Sequence, residues 1–126
     1  MGLFRRRRDD AVDPEERSPQ LGVKYKDLAV MGSLLDAGAR LDEPRHVLHF
    51  LYFASQEAAE AAAREAGARG WEAAAHPPVE DATDWRVVAE RPDLVLSAEV
   101  VRDSTDVFEE IAARHGGDYD GWEASV

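Results

Sequence analysis

Apolar and polar positions are most tightly patterned in Arg45–Phe53, RHVLHFLYF. This run is far short of the ~20 residues of a membrane span and suits a strand. At period two, His46, Leu48, Phe50 and Tyr52 share one side, and Val47, His49, Leu51 and Phe53 the other. Both sides are mostly apolar, so the run is expected as a central strand covered on both faces.

Before it, Leu28, Met31, Leu34 and Leu35 recur at three- and four-residue spacing. They predict a helix over 24–37, stopped by Gly38. After it, Ser55 is a natural N-cap with Glu57 in the first turn. The helix expected over 56–69 carries a flat alanine face, Ala58, Ala59, Ala62, Ala63 and Ala66. Glu60 with Arg64 and Glu65 with Arg69 are i,i+4 pairs on its wet side.

Two half-buried strands follow. Trp71–His76 alternates Trp71, Ala73 and Ala75 against Glu72, Ala74 and His76. After the loop Pro77–Asp84, Trp85–Glu90 sets Trp85, Val87 and Ala89 against Arg86, Val88 and Glu90, with Arg91–Asp93 closing it. Leu94–Leu96 reads either as a continuation of that strand or as a linker. Ser97 caps a last helix over 98–115 with an apolar stripe of Val101, Phe108, Ile111 and Ala112, ended by Gly116 and Gly117. Asp118–Val126 is a final strand.

The order is a helix followed by strand–helix–strand–strand–helix–strand. It predicts an α+β, ferredoxin-like split βαβ sandwich, with a four-stranded antiparallel sheet and an extra N-terminal helix. The two main helices cover one face. The leading helix, or a second copy of the chain, is the expected cover for the other. Residues 1–22, with Pro14, Pro19, a charge block and no hydrophobic period, are expected as a disordered tail, and 23–126 as the single domain.

Composition narrows the function. The chain has 126 residues, no cysteine and a net charge of −11. Disulfides, thiolate chemistry and cysteine-bound zinc are excluded. With no secretory signal and no apolar span, a cytoplasmic protein is expected. Arg5–Arg8 concentrates positive charge at the start, leaving an acidic body that repels phosphate. Direct nucleic-acid binding by the folded part is therefore disfavoured, and a basic partner or plain solubility accounts for the charge. His46 and His49 point to opposite faces of one strand, and His76 and His115 end different elements, so no metal or cofactor is expected. No nucleophile–base order or phosphate loop is present, so the chain is not expected to be an enzyme.

The C-terminal stretch, Phe108-Glu109, Ile111-Ala112 and then His115-Gly-Gly-Asp-Tyr-Asp-Gly-Trp-Glu123, resembles the regulator of ribonuclease E activity B family. Leu51-Tyr52-Phe53, the alanine helix and Trp85 extend the resemblance over roughly 24–126. It implies a ferredoxin-like α+β sandwich without catalytic activity. It also implies inhibition of an endoribonuclease of the ribonuclease E type, bound away from its catalytic centre. Other readings left open are an effector-sensing module and an antitoxin or immunity-type binder.

Two surfaces are candidates for the partner. In the first, Asp118 and Asp120 project beside exposed Tyr119 and Trp122, a mix suited to a basic peptide. The competing view has Gly121 permitting a bulge and Trp122 filling the core. The second is a stripe on the last helix, Glu99, Asp103, Asp106 and Glu110 at i, i+4, i+7 and i+11, which an arginine-rich segment would compensate. The competing view is a solvated face softened by Arg102 and Arg114. Docking of both surfaces would compete with RNA for the partner's arginines, with the chain acting as a monomer or weak homodimer.

Overall fold

The computed structural model describes residues 12–126; Arg5–Arg8 lies outside the described residues. The elements are α1 (Tyr25–Asp36), β1 (Arg45–Phe53), α2 (Gln56–Ala68), β2 (Glu72–His76), β3 (Trp85–Leu94), α3 (Ala98–Arg114) and β4 (Asp118–Ala124). Among the described residues they make an α+β fold with three helices and one four-stranded sheet, order β2-β3-β1-β4, in which every neighbouring pair is antiparallel.

Local chemistry sets the helix boundaries. Ser55 and Ser97 each accept a hydrogen bond from the third residue onward, Ala58 N and Val100 N, both at 3.1 Å, relieving an orphan donor of the first turn. The alanine face of α2 lets it lie close to the sheet, with Ala59, Ala62 and Ala66 all buried. Glu65 pairs with Arg69 as its spacing suggests, at 3.3 Å, whereas Glu60 accepts from Gln56. The stripe of α3 is buried at Val101, Phe108, Ile111 and Ala112. Past α3, Gly116 turns in the left-handed region and Gly117 N returns a bond to Ala112 O. Gly117 passes so close to Phe53 that a Cβ there would sit 2.3 Å from its ring.

β3 runs four residues beyond Glu90. Leu94 pairs with Arg45 across a register shift that bulges the strand where Pro92 and Asp93 are exposed. A proline without an N–H is tolerated at such an interruption, so Arg91–Asp93 bends the strand instead of ending it.

Of the segment 1–22 only residues 12–22 are described, and their contacts with the body gather around Arg17 and Ser18. Arg17 and Lys24 form a bridge, Ser18 N donates to Val23 O at 2.8 Å, and Ser18 and Val23 are buried. Arg17 pairs with Asp106 and Lys24 with Glu109, both on α3. Charge complementarity with α3 and the burial of Val23 anchor a segment that has no hydrophobic period of its own.

The helices all stand on one side. The main core joins Leu51, Phe53 and Val87 to Ala59, Ala62, Phe108 and Ile111. A second cluster joins Leu34 of α1 to Val47, Val101, Leu96 and Trp122. Since Val47 faces the same way as Leu51, α1 lengthens the helical layer. It does not cover the second face, for which the sequence reading offered either this helix or a second copy of the chain. On β1 only Arg45, Val47, His49, Leu51 and Phe53 are buried; His46, Leu48, Phe50 and Tyr52 are half-exposed.

Candidate protein-binding surface

The terminal motif divides between interior and surface because of one bulge. Tyr119 pairs with Leu51 and Trp122 with His49, so three residues of β4 span two of β1. Gly121 takes up the extra residue at φ 97°, a conformation that costs little only for glycine. The bulge turns both aromatic rings toward the helices. Tyr119 Oη lies 2.7 Å from His49 Nδ1, and Trp122 Nε1 donates to Asp27 Oδ1 at 2.9 Å.

These four side chains form a buried polar seam between sheet and helices. His49 stacks on Phe108 at 4.4 Å and meets Trp71 edge-on at 4.9 Å. Burial depresses its pKa from 6.5 to about 3, so the ring is neutral. Burial likewise pushes the Tyr119 hydroxyl up, with Asp27 and Glu109 adding to the effect. Desolvation raises the Asp27 carboxyl against the opposing pull of the Trp122 bond and of Lys26 and Lys24. Asp27 Oδ2 has no hydrogen-bond partner among the described residues. The space beside His49, bounded by Val101, Thr105 and Trp122, is too tight to admit water. The seam can order the core and fix β4 on β1.

The structure therefore separates the first candidate surface. Trp122 is buried and Tyr119 half-buried with its hydroxyl turned inward, so neither ring is free for a partner. Asp118 and Asp120 are exposed. The second candidate is spent largely within the chain. Asp106 pairs with Arg17, Asp103 with Arg102 at 3.0 Å and Glu110 with Arg114 at 3.1 Å. Only Glu99 of that stripe has no ion pair among the described residues. The like-charge cost along the helix is thus compensated internally.

What the sequence reading missed is the face of the sheet that none of the described helices covers, the helix-free face. Cross-strand pairing sets Phe50 beside Val88, with Ala74 on the far side of Val88, Tyr52 beside Arg86 and Asp118, and Leu48 beside Glu90 and Glu123. A signal was available: the same side of β2 and β3 reads Glu72, His76, Arg86 and Glu90, which is too charged to be covered by a helix. Among the described residues, no group of three or more His, Asp or Glu side chains is arranged to hold a metal ion. No described helix is long and apolar enough to cross a membrane.

Residues 26–124 match the family model described as regulator of ribonuclease activity B. The chain belongs to that family. The match runs from α1 to the last residue of β4 and so takes in the seam, the bulge and both sheet faces. No individual curated protein matches the chain closely enough to be compared with it. Membership in the regulator of ribonuclease activity B family connects the chain to control of a ribonuclease.

Proposed function

We propose that this chain is a non-catalytic, cytoplasmic regulator that binds an endoribonuclease of the ribonuclease E type and lowers its activity, slowing RNA decay. The observation that carries the reading is the outward row Asp118, Asp120 and Glu123 on β4, in a chain of a ribonuclease-regulator family. Those carboxylates engage an arginine-rich segment of the nuclease and compete with RNA for its arginines. An acidic body does not bind RNA itself, so inhibition comes from masking the enzyme. The order β2-β3-β1-β4, with α2 linking β1 to β2 and α3 linking β3 to β4, supports a ferredoxin-like split βαβ sandwich to which α1 is an addition. A monomer or weak homodimer suffices for such masking.

The test pairs the purified chain with the ribonuclease of the cell that makes it. Expected are binding that weakens as salt rises and slower cleavage of an RNA substrate. Absence of salt-sensitive binding overturns the reading.

A further inference from the structure

Three of the four strands put an apolar centre on the helix-free face. Phe50, Leu48 and Tyr52 of β1 lie beside Val88 of β3, with Ala74 of β2 beyond. Leu48, Phe50, Tyr52 and Val88 are all only partly buried, and none of the described helices packs over them. Around this centre stand Glu72, Asp118, Asp120 and Glu123, with Glu90, which pairs with His46, and with Arg86 the one arginine or lysine of the described residues set among them. Grooves of about 430 and 330 Å³ open at the two ends of β1, one against Tyr52, Pro78 and Arg86, the other against His46, Leu48 and Glu123.

We infer that this helix-free face is the docking surface, and that its occupant is a protein segment that presents leucine- or phenylalanine-type side chains to the Leu48–Phe50–Val88 centre and arginine or lysine to the carboxylate rim. The inference rests on the proposed function and extends its site from the carboxylates of β4 across the sheet to an apolar centre. Charge decides the class of occupant. Exposed aromatics on a sheet can stack nucleobases, but a nucleic-acid platform must neutralise phosphates, and this rim carries five carboxylates. A second copy of the chain would press one acidic rim against another. A basic, apolar-bearing segment satisfies both the centre and the rim, and one lying along β1 would reach both grooves.

The isotope-labelled full chain is titrated with a synthetic peptide alternating arginine and leucine, with an arginine–glycine peptide and with oligouridine, and amide shifts are mapped by NMR. Shifts centred on Leu48, Phe50, Tyr52 and Val88 are expected, with the arginine–glycine peptide binding at least ~10-fold more weakly because it forfeits the apolar centre. Phe50→Ala should cost ~10-fold in affinity for the arginine–leucine peptide, and the paired exposed variant Asp120→Asn/Glu123→Gln should weaken it with circular dichroism unchanged. Glu99→Gln and Asp103→Asn on α3 should leave it unchanged. Shifts centred on α3, equal binding by both peptides, oligouridine binding on this face, or dimerisation through it would each overturn the inference. Because the peptides report on the face without the nuclease, mapping there beside failed nuclease binding would sink only the proposed function. Nuclease binding insensitive to Phe50→Ala but lost on changing α3 would sink only the inference.

Discussion

The sheet presents two faces made from the same four strands, and neighbouring residues of β1 show how differently they are used. His49 lies within the helical layer, 2% exposed and stacked on Phe108. Phe50, one residue on, lies half-exposed on the opposite side next to Val88. A polar ring is interior and an apolar ring meets water. The interior accepts His49 because Tyr119 bonds to it and aromatic rings enclose it; the open face leaves Phe50 uncovered because no described helix reaches it. Stability should therefore depend on the closed face and recognition on the open one.

Truncation gives the sharpest test of that division. Phe108→Ala removes a fully buried ring and should cost ~3–5 kcal/mol, read as a lower urea midpoint at unchanged slope. Phe50→Ala, which removes a ring already partly wet, should cost ~1 kcal/mol or less. Equal costs would mean that the open face is covered, and the contrast between the faces would collapse.

Acid probes the closed face through His49. Its folded pKa of about 3 lies below the ordinary 6.5, so the unfolded chain binds the extra proton first. Stability should hold above pH 6.5 and fall as pH drops from 6.5 toward 3, by up to ~4 kcal/mol. Asp27 acts in the opposite sense: its raised carboxyl makes the folded state the better proton acceptor, which offsets part of the loss at the acid end. Chemical denaturation at a series of pH values should show the decline, and His49→Leu should flatten it. An unchanged pH profile in that variant would remove His49 as its cause.

How much of this could be read from the sequence depended on the kind of signal. Period-two and period-3.6 patterns are local, and they located every described strand and helix to within a few residues, including the cores of α2 and α3. The side taken by α1 was not local information. Leu28 and Leu34 say that α1 has an apolar stripe, but only Val47 and Trp122, distant in sequence, determine where that stripe lies. Tyr119 and Trp122 were left between two readings, a partner surface or a bulge at Gly121 with Trp122 in the core, for a related reason. Three residues apart, they belong on opposite faces of a regular strand, and the bulge at Gly121 puts them on the same one. The acid stripe of α3 was visible, but its partner Arg17 lay in a segment read as tail.

That bulge gives a smaller effect. A Cβ at Gly121 would meet nothing within 4 Å, so the cost of Gly121→Ala is that of holding φ at 97° with a side chain. About 1–2 kcal/mol of lost stability is expected. If β4 instead relaxes to a regular strand, Tyr119 or Trp122 must leave the closed face, and tryptophan fluorescence would shift to the red. A variant as stable as the parent with unchanged fluorescence would show that the bulge does not hold the seam.

The smallest effect separates internal pairing from partner binding on α3. Asp106 and Arg17 pair while each remains about half exposed, and pairs in such surroundings are worth ~1 kcal/mol at most. Asp106→Asn should therefore lower stability by less than ~1 kcal/mol, and high salt should erase even that difference. Glu99→Gln, which breaks no ion pair among the described residues, should change stability still less. If α3 only anchors residues 12–24, both variants should bind the nuclease as the parent does, although one disturbs an internal contact and the other does not. If α3 instead faces the nuclease, both should weaken binding in proportion to the charge removed. Affinities of the two variants at low salt, compared with that of Phe50→Ala, would then decide whether recognition belongs to the helix or to the open face of the sheet.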